Sequence, residues 1–67
     1  MNVRERIGER IAEIRKESGI SQIELAEKAG VTQNTVYKIE HGKFSVGIDV
    51  LDRVITALGC YIDIVKP

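Results

Sequence analysis

Only Val31 separates Gly30, the residue type that most easily ends a helix, from Thr32, a residue type that most readily starts one. That junction constrains the chain more than any other feature, because it forces two short helices to meet at a tight turn. Upstream, Ser21 and Glu24 have the spacing of a capping box, with Ile20 and Leu25 flanking it as a hydrophobic staple. A helix opening there and closing at Gly30 has about eight residues. Downstream, Val31 and Val36 repeat the staple spacing behind Thr32, and a further helix is expected from Gln33 to about His41, closed by Gly42.

Two further segments pack around this pair. Val3, Ile7, Ile11 and Ile14 recur at helical spacing, which predicts an amphipathic helix from about Asn2 to Glu17 ended near Gly19. Five basic and four acidic residues lie among them, the pattern of a solvated face. Gly8 sits inside this helix at a cost of about 1 kcal/mol relative to Ala, and suits a close approach to another helix. Ser45 or Gly47 opens a last helix carrying Ile48, Leu51, Val54, Ile55 and Leu58 and ending at Gly59.

After Gly59 the character changes. Cys60, Tyr61, Ile62, Asp63, Ile64 and Val65 are rich in β-branched and aromatic types and read as a strand, yet the chain contains no second strand to pair with it. A lone strand leaves its backbone groups unsatisfied, so antiparallel pairing of Tyr61, Ile62, Asp63, Ile64 and Val65 with the same segment of a second copy is the expected solution. The alternative is a tail that packs along its own last helix. Dimerisation also meets a stability need, since a domain of about 60 residues buries only about 60% of its surface.

Composition excludes the other staples and most chemistries. One Cys and one His among 67 residues allow neither an internal disulfide nor a Cys/His zinc tetrad, and Cys60 beside apolar residues reads as inert packing. No metal or other cofactor is expected. No apolar run reaches the length of a membrane span and Met1 to Glu5 lack a signal-peptide layout, so a cytoplasmic setting without a membrane partner is expected. No phosphate-binding glycine loop and no recognisable nucleophile setting are present, so no enzyme is expected.

Two short helices joined by a glycine-containing turn form a helix-turn-helix, whose second helix enters the DNA major groove. The run from Gly19 to Lys43 resembles the phage lambda repressor and Cro family, also called the XRE family. The residues that carry the likeness are Ser21-Gln22, Leu25-Ala26, Gly30-Val31, Val36 and Ile39-Glu40 with Gly42-Lys43. The resemblance covers about Ile7 to Gly59. It implies an all-α, compact four- to five-helix lambda-repressor-like domain over residues 1–59, with residues 60–67 as a C-terminal dimerisation strand.

The polar residues on the outer side of the third helix suit base recognition. Gln33 and Asn34 can pair with adenine, Thr35 can pack its methyl on thymine, and Lys38 can donate to guanine, and the family's base-reading positions fall on the same residues. Gln22 opens the second helix, where free amide groups favour a phosphate oxygen, and the resemblance gives it the role of buttressing the recognition helix. Thr32, Tyr37, His41, Lys43, Arg15 and Lys16 complete the expected backbone-contacting set. Tyr37 fits either a place on the groove wall or local packing. The resemblance also pairs Arg15 with Glu40, tying the first helix to the third.

The expected function is a sequence-specific transcriptional regulator, a repressor, holding a two-fold related operator as a homodimer. The alternative is an antitoxin that neutralises a toxin protein and autoregulates its operon, because small members of the family with a C-terminal strand resemble such antitoxins. The formal charge of zero does not oppose DNA binding. By segment it divides into +1 for residues 1–17, −1 for 18–31, +1 for 32–43 and −1 for 44–67. Few phosphate contacts per subunit and a heavy reliance on base contacts follow.

Overall fold

The computed structural model describes all residues from Met1 to Pro67. Four helices follow in order: α1 (Val3–Glu17), α2 (Gln22–Ala29), α3 (Gln33–Glu40) and α4 (Ile48–Ala57). Each start has a local cause. Ser21 caps α2 and exchanges hydrogen bonds with Glu24, the Ser21 hydroxyl accepting from the Glu24 amide at 3.1 Å and the Glu24 carboxylate accepting from the Ser21 amide at 3.0 Å. The Ser21 backbone amide, and after it the Ser21 hydroxyl, holds the Glu24 carboxyl below the usual carboxylate range. Asn2 and Glu5 form a second capping box, at the start of α1, which the periodicity of that helix does not reveal. Thr32 caps α3 through the Thr35 amide, whereas Gly47 opens α4 with no side-chain cap.

At the junction, Gly30 adopts φ 71° and ψ 34°, the left-handed conformation that reverses the chain between α2 and α3 without a Cβ clash. The Val31 amide donates back to the Ala26 carbonyl at 3.0 Å, which closes the turn.

Leu25, Val36, Ile39 and Val54 are the largest fully buried side chains, and Ile11, Ala26, Ala29, Phe44 and Leu51 complete the core. This core sits between the helices, with α3 packed against both α1 and α2, and α4 packed against α2. Phe44 is the one buried aromatic, and its place in a loop hides it from any helical periodicity. Val3, which begins the apolar stripe of α1, is instead half exposed. Gly8 has a packing reason: a Cβ there would overlap the Ile39 carbonyl oxygen and lie 2.9 Å from that of Glu40. α1 and the end of α3 therefore meet backbone to backbone.

The segment expected to be a strand is not one in this structure. Residues 60–67 carry no regular secondary structure. The Cys60 amide donates to the Ile55 carbonyl, and beyond it residues 61–67 take part in no backbone hydrogen bond to the rest of the chain. The physical reason is that a strand exists through its ladder, and a single copy offers no partner. Tyr61, Ile64 and Val65 stand 79%, 95% and 81% exposed. The architecture is thus all-α with four helices and no sheet. No helix is long and apolar enough to cross a membrane.

Candidate nucleic-acid interface

At about 100° per residue, Gln33, Tyr37, His41, Asn34 and Lys38 fall within an arc of about 140° on one side of α3. All five are exposed. Val36 and Ile39 lie on the opposite side and are fully buried, so the apolar residues of α3 determine which polar residues face outward. Thr35 stands off this arc, half-buried, with its hydroxyl 2.9 Å from that of Thr32. Thr32 is exposed at the leading end of the helix.

A chain of hydrogen bonds holds α3 in place. The Arg15 guanidinium grips the Glu40 carboxylate through two nitrogens, Nε at 2.6 Å and Nη2 at 3.0 Å, while Nη1 donates to the Ile20 carbonyl at 2.9 Å. The Gln22 amide donates to the same carboxylate at 3.1 Å, and the Gln33 amide donates to Gln22 Oε1 at 3.0 Å. The run Arg15, Glu40, Gln22, Gln33 therefore clamps both ends of α3, to α1 at one and α2 at the other. All three Arg15 nitrogens are engaged within the protein, and the side chains of Arg15 and Glu40 are only 12% and 4% exposed.

The electrostatics agree with the geometry. Burial pushes the Glu40 carboxyl up, but hydrogen bonds from Arg15 and Gln22 with the charges of Arg15 and Lys16 outweigh it, leaving Glu40 below the usual carboxylate range. The hydrogen bond to Glu40 raises Arg15 in turn. Glu40, the one acidic residue of α3, is thereby internally neutralised and leaves no free negative charge on that helix.

The remaining expected residues surround the arc. The Tyr37 and His41 rings stack with centroids 4.1 Å apart, and Tyr37 is 46% exposed, so it both packs locally and reaches the surface. Lys43 is exposed beyond the end of α3, its amide donating to the Lys38 carbonyl at 2.9 Å. Lys16 is exposed on α1. The bond between Gln33 and Gln22 was not foreseen for Gln33. The only signal in the sequence was that both glutamines follow a cap residue directly, which places each at the start of its helix.

No cluster of His, Cys, Asp or Glu has the arrangement needed to hold a metal ion. Two short helices joined through a left-handed glycine, the second with an anchored inner face and a polar outer arc, define a helix-turn-helix DNA-binding domain. The Helix-turn-helix family model matches residues 11–65, and the chain belongs to that family of DNA-binding transcriptional regulators, a class that acts by binding rather than by catalysis.

Relatives agree. The chain is 45% identical over 49 residues to an uncharacterised HTH-type transcriptional regulator of Methanothermobacter thermautotrophicus, covering 73% of this chain and 71% of that protein. It is 38% identical to the immunity repressor protein of Bacillus phage phi105 over 79% of this chain, but spans only 37% of that repressor's length. Among solved structures, the clp gene regulator ClgR from Corynebacterium glutamicum superposes with a TM-score of 0.86 at 29% identity, over 92% of this chain and 80% of that one.

Proposed function

We propose that the chain is a repressor that binds a two-fold related DNA operator as a homodimer, with α3 lying in the major groove. The observation that carries this reading is the clamp of Arg15, Glu40, Gln22 and Gln33, which fixes the outer arc of α3 as a preformed surface. Gln33, Asn34 and Lys38 read base edges from it, and Thr35 offers its methyl at the margin. Gln22, Thr32, Tyr37, His41, Lys43 and Lys16 approach the phosphate backbone, while Arg15 acts through Glu40. The naming of relatives as regulators and as an immunity repressor supports a regulator rather than an antitoxin.

Residues 1–59 form the DNA-binding unit in this reading, and residues 60–67 the dimerisation element. Support for the second part comes from exposure. Tyr61, Ile64 and Val65 are exposed, and Tyr61 helps line a mostly apolar groove of about 410 Å³ together with Ile7, Ile11, Ile14, Ile55 and Leu58. Antiparallel pairing with a second copy gives partners to the backbone groups of residues 61–65, of which only the Ile64 amide has one within the chain, the Asp63 carboxylate, and covers that groove.

Selection of bound sequences from a random pool of duplex DNA tests the proposal. Enrichment of a site whose halves are related by two-fold symmetry is expected, with half-sites about one helical turn apart. Failure to enrich any site, or enrichment of a single unpaired half-site, would overturn it.

A further inference from the structure

His41 is the only histidine of the chain and closes α3 as its C-terminal cap residue. Its ring is held on two sides. Tyr37 stacks against its face at 4.1 Å, and ring nitrogen Nδ1 lies 2.8 Å from the Tyr37 carbonyl oxygen. A carbonyl oxygen can only accept, so Nδ1 carries a proton in the neutral ring as well as in the charged one. The neutral ring is thereby locked as the tautomer whose other nitrogen, Nε2, has a bare lone pair. A DNA phosphate oxygen also only accepts. Neutral His41 has nothing to offer it, whereas the imidazolium presents an Nε2 proton and a positive charge.

Resting on the DNA-binding reading above, we propose that His41 is a backbone contact that works only when protonated, so that binding tightens as pH falls. The groups that face the ring set the background. From α1 and the chain start come Glu5, Glu9, Lys16 and the Met1 amino terminus, and from α3 come Tyr37 and Glu40. Glu40 is held by Arg15 and Gln22 and Glu5 accepts from the Asn2 amide, which leaves Glu9 as the one of these carboxylates without a hydrogen-bond partner. Histidine is the side chain whose charge ordinarily changes between about pH 5 and 8, so the effect falls in an accessible range.

Two measurements test this independently. Two-bond proton–nitrogen NMR correlations of the free protein at about pH 8 report the tautomer without any DNA. A protonated Nδ1 is expected; an Nε2-protonated neutral ring overturns the proposal while leaving DNA binding untouched. Affinity for a selected duplex at about pH 8 and about pH 6, at fixed salt, provides the second. Wild type should tighten by about three- to tenfold per subunit more than H41Q across that range, the size of one surface charge-assisted hydrogen bond in each half-site. H41K should show no excess tightening. The Met1 amino terminus and Cys60 are common to all three proteins, so the difference isolates the ring. An equal pH response in wild type and H41Q overturns the proposal. So does weaker wild-type binding at low pH, which would mark Nε2 as an acceptor for a base amino group. Loss of binding by every protein at both pH values would instead refute the DNA-binding reading itself.

Discussion

Replacing Glu40 by Ala should cost far more stability than removing any charge outside its pair with Arg15. The pair with Arg15 is nearly enclosed, with side chains 12% and 4% exposed, and a third group, the Gln22 amide, shares the carboxylate. Surface ion pairs contribute about 0–1 kcal/mol, whereas stripping one partner from a buried pair costs about 3–5 kcal/mol, because the other charge is left without compensation. Arg15 would keep the Ile20 carbonyl at 2.9 Å, which trims the loss to about 2–4 kcal/mol. A 67-residue domain has about 3–10 kcal/mol in total, and at about 4–8 °C per kcal/mol the melting temperature should fall by about 8–32 °C.

The pH dependence carries a second signature. Glu40 is held below the ordinary carboxylate range in the folded state. Its contribution is therefore present above the unfolded value of about 4.3 and disappears as pH falls through the lower folded value. Urea unfolding of wild type and E40A at neutral pH and through the acid range measures both effects. Glu24 is also depressed but is common to the two proteins, so the difference belongs to Glu40. The gap between them should narrow in acid. A double variant R15M/E40L should recover at least half of the loss, since apolar replacement of a buried pair is often nearly neutral. A cost below about 1 kcal/mol, or a gap that stays constant into acid, would refute the reasoning that the pair is enclosed and coupled.

Other outcomes follow from single features. Gly8→Ala should lower the melting temperature in a thermal scan, although Ala is the better helix former by about 1 kcal/mol, because the added Cβ meets the Ile39 and Glu40 carbonyls; a rise in stability would contradict the backbone contact. If the proposed dimer forms through residues 60–67, deleting them should yield a helical monomer in analytical ultracentrifugation, and a persistent dimer would place the interface elsewhere. Lys43→Ala should reduce the dependence of log affinity on log salt by about 0.9 per subunit without altering the preferred site, and a changed preference would mark Lys43 as a base reader.

Much of this fold was legible because its signals are local. The Ser21 and Glu24 box, the stop at Gly30 and the start at Thr32 each act within four residues, and they place α2, the turn and α3. Phe44 was not legible, since a single aromatic in a loop carries no periodicity. Gly8 announced a close approach, but nothing in the chain says that its partner is the Ile39 carbonyl. The strand-like composition of residues 60–65 describes side-chain preference, and a ladder depends on a neighbour that lies outside one chain. At the interface, the outer arc of α3 followed from which residues the core takes. The tautomer of His41 did not, because it depends on the side-chain orientation that brings Nδ1 to the Tyr37 carbonyl one helical turn earlier.

The central claim is that the outer arc of α3 reads DNA sequence, and comparison of specific with non-specific affinity tests it most directly. Asn34→Ala and Lys38→Ala should each weaken binding to a selected operator by about 1–3 kcal/mol at fixed salt. The same variants should bind a scrambled duplex with much smaller losses. Equal losses on both duplexes, or none on either, would contradict the claim.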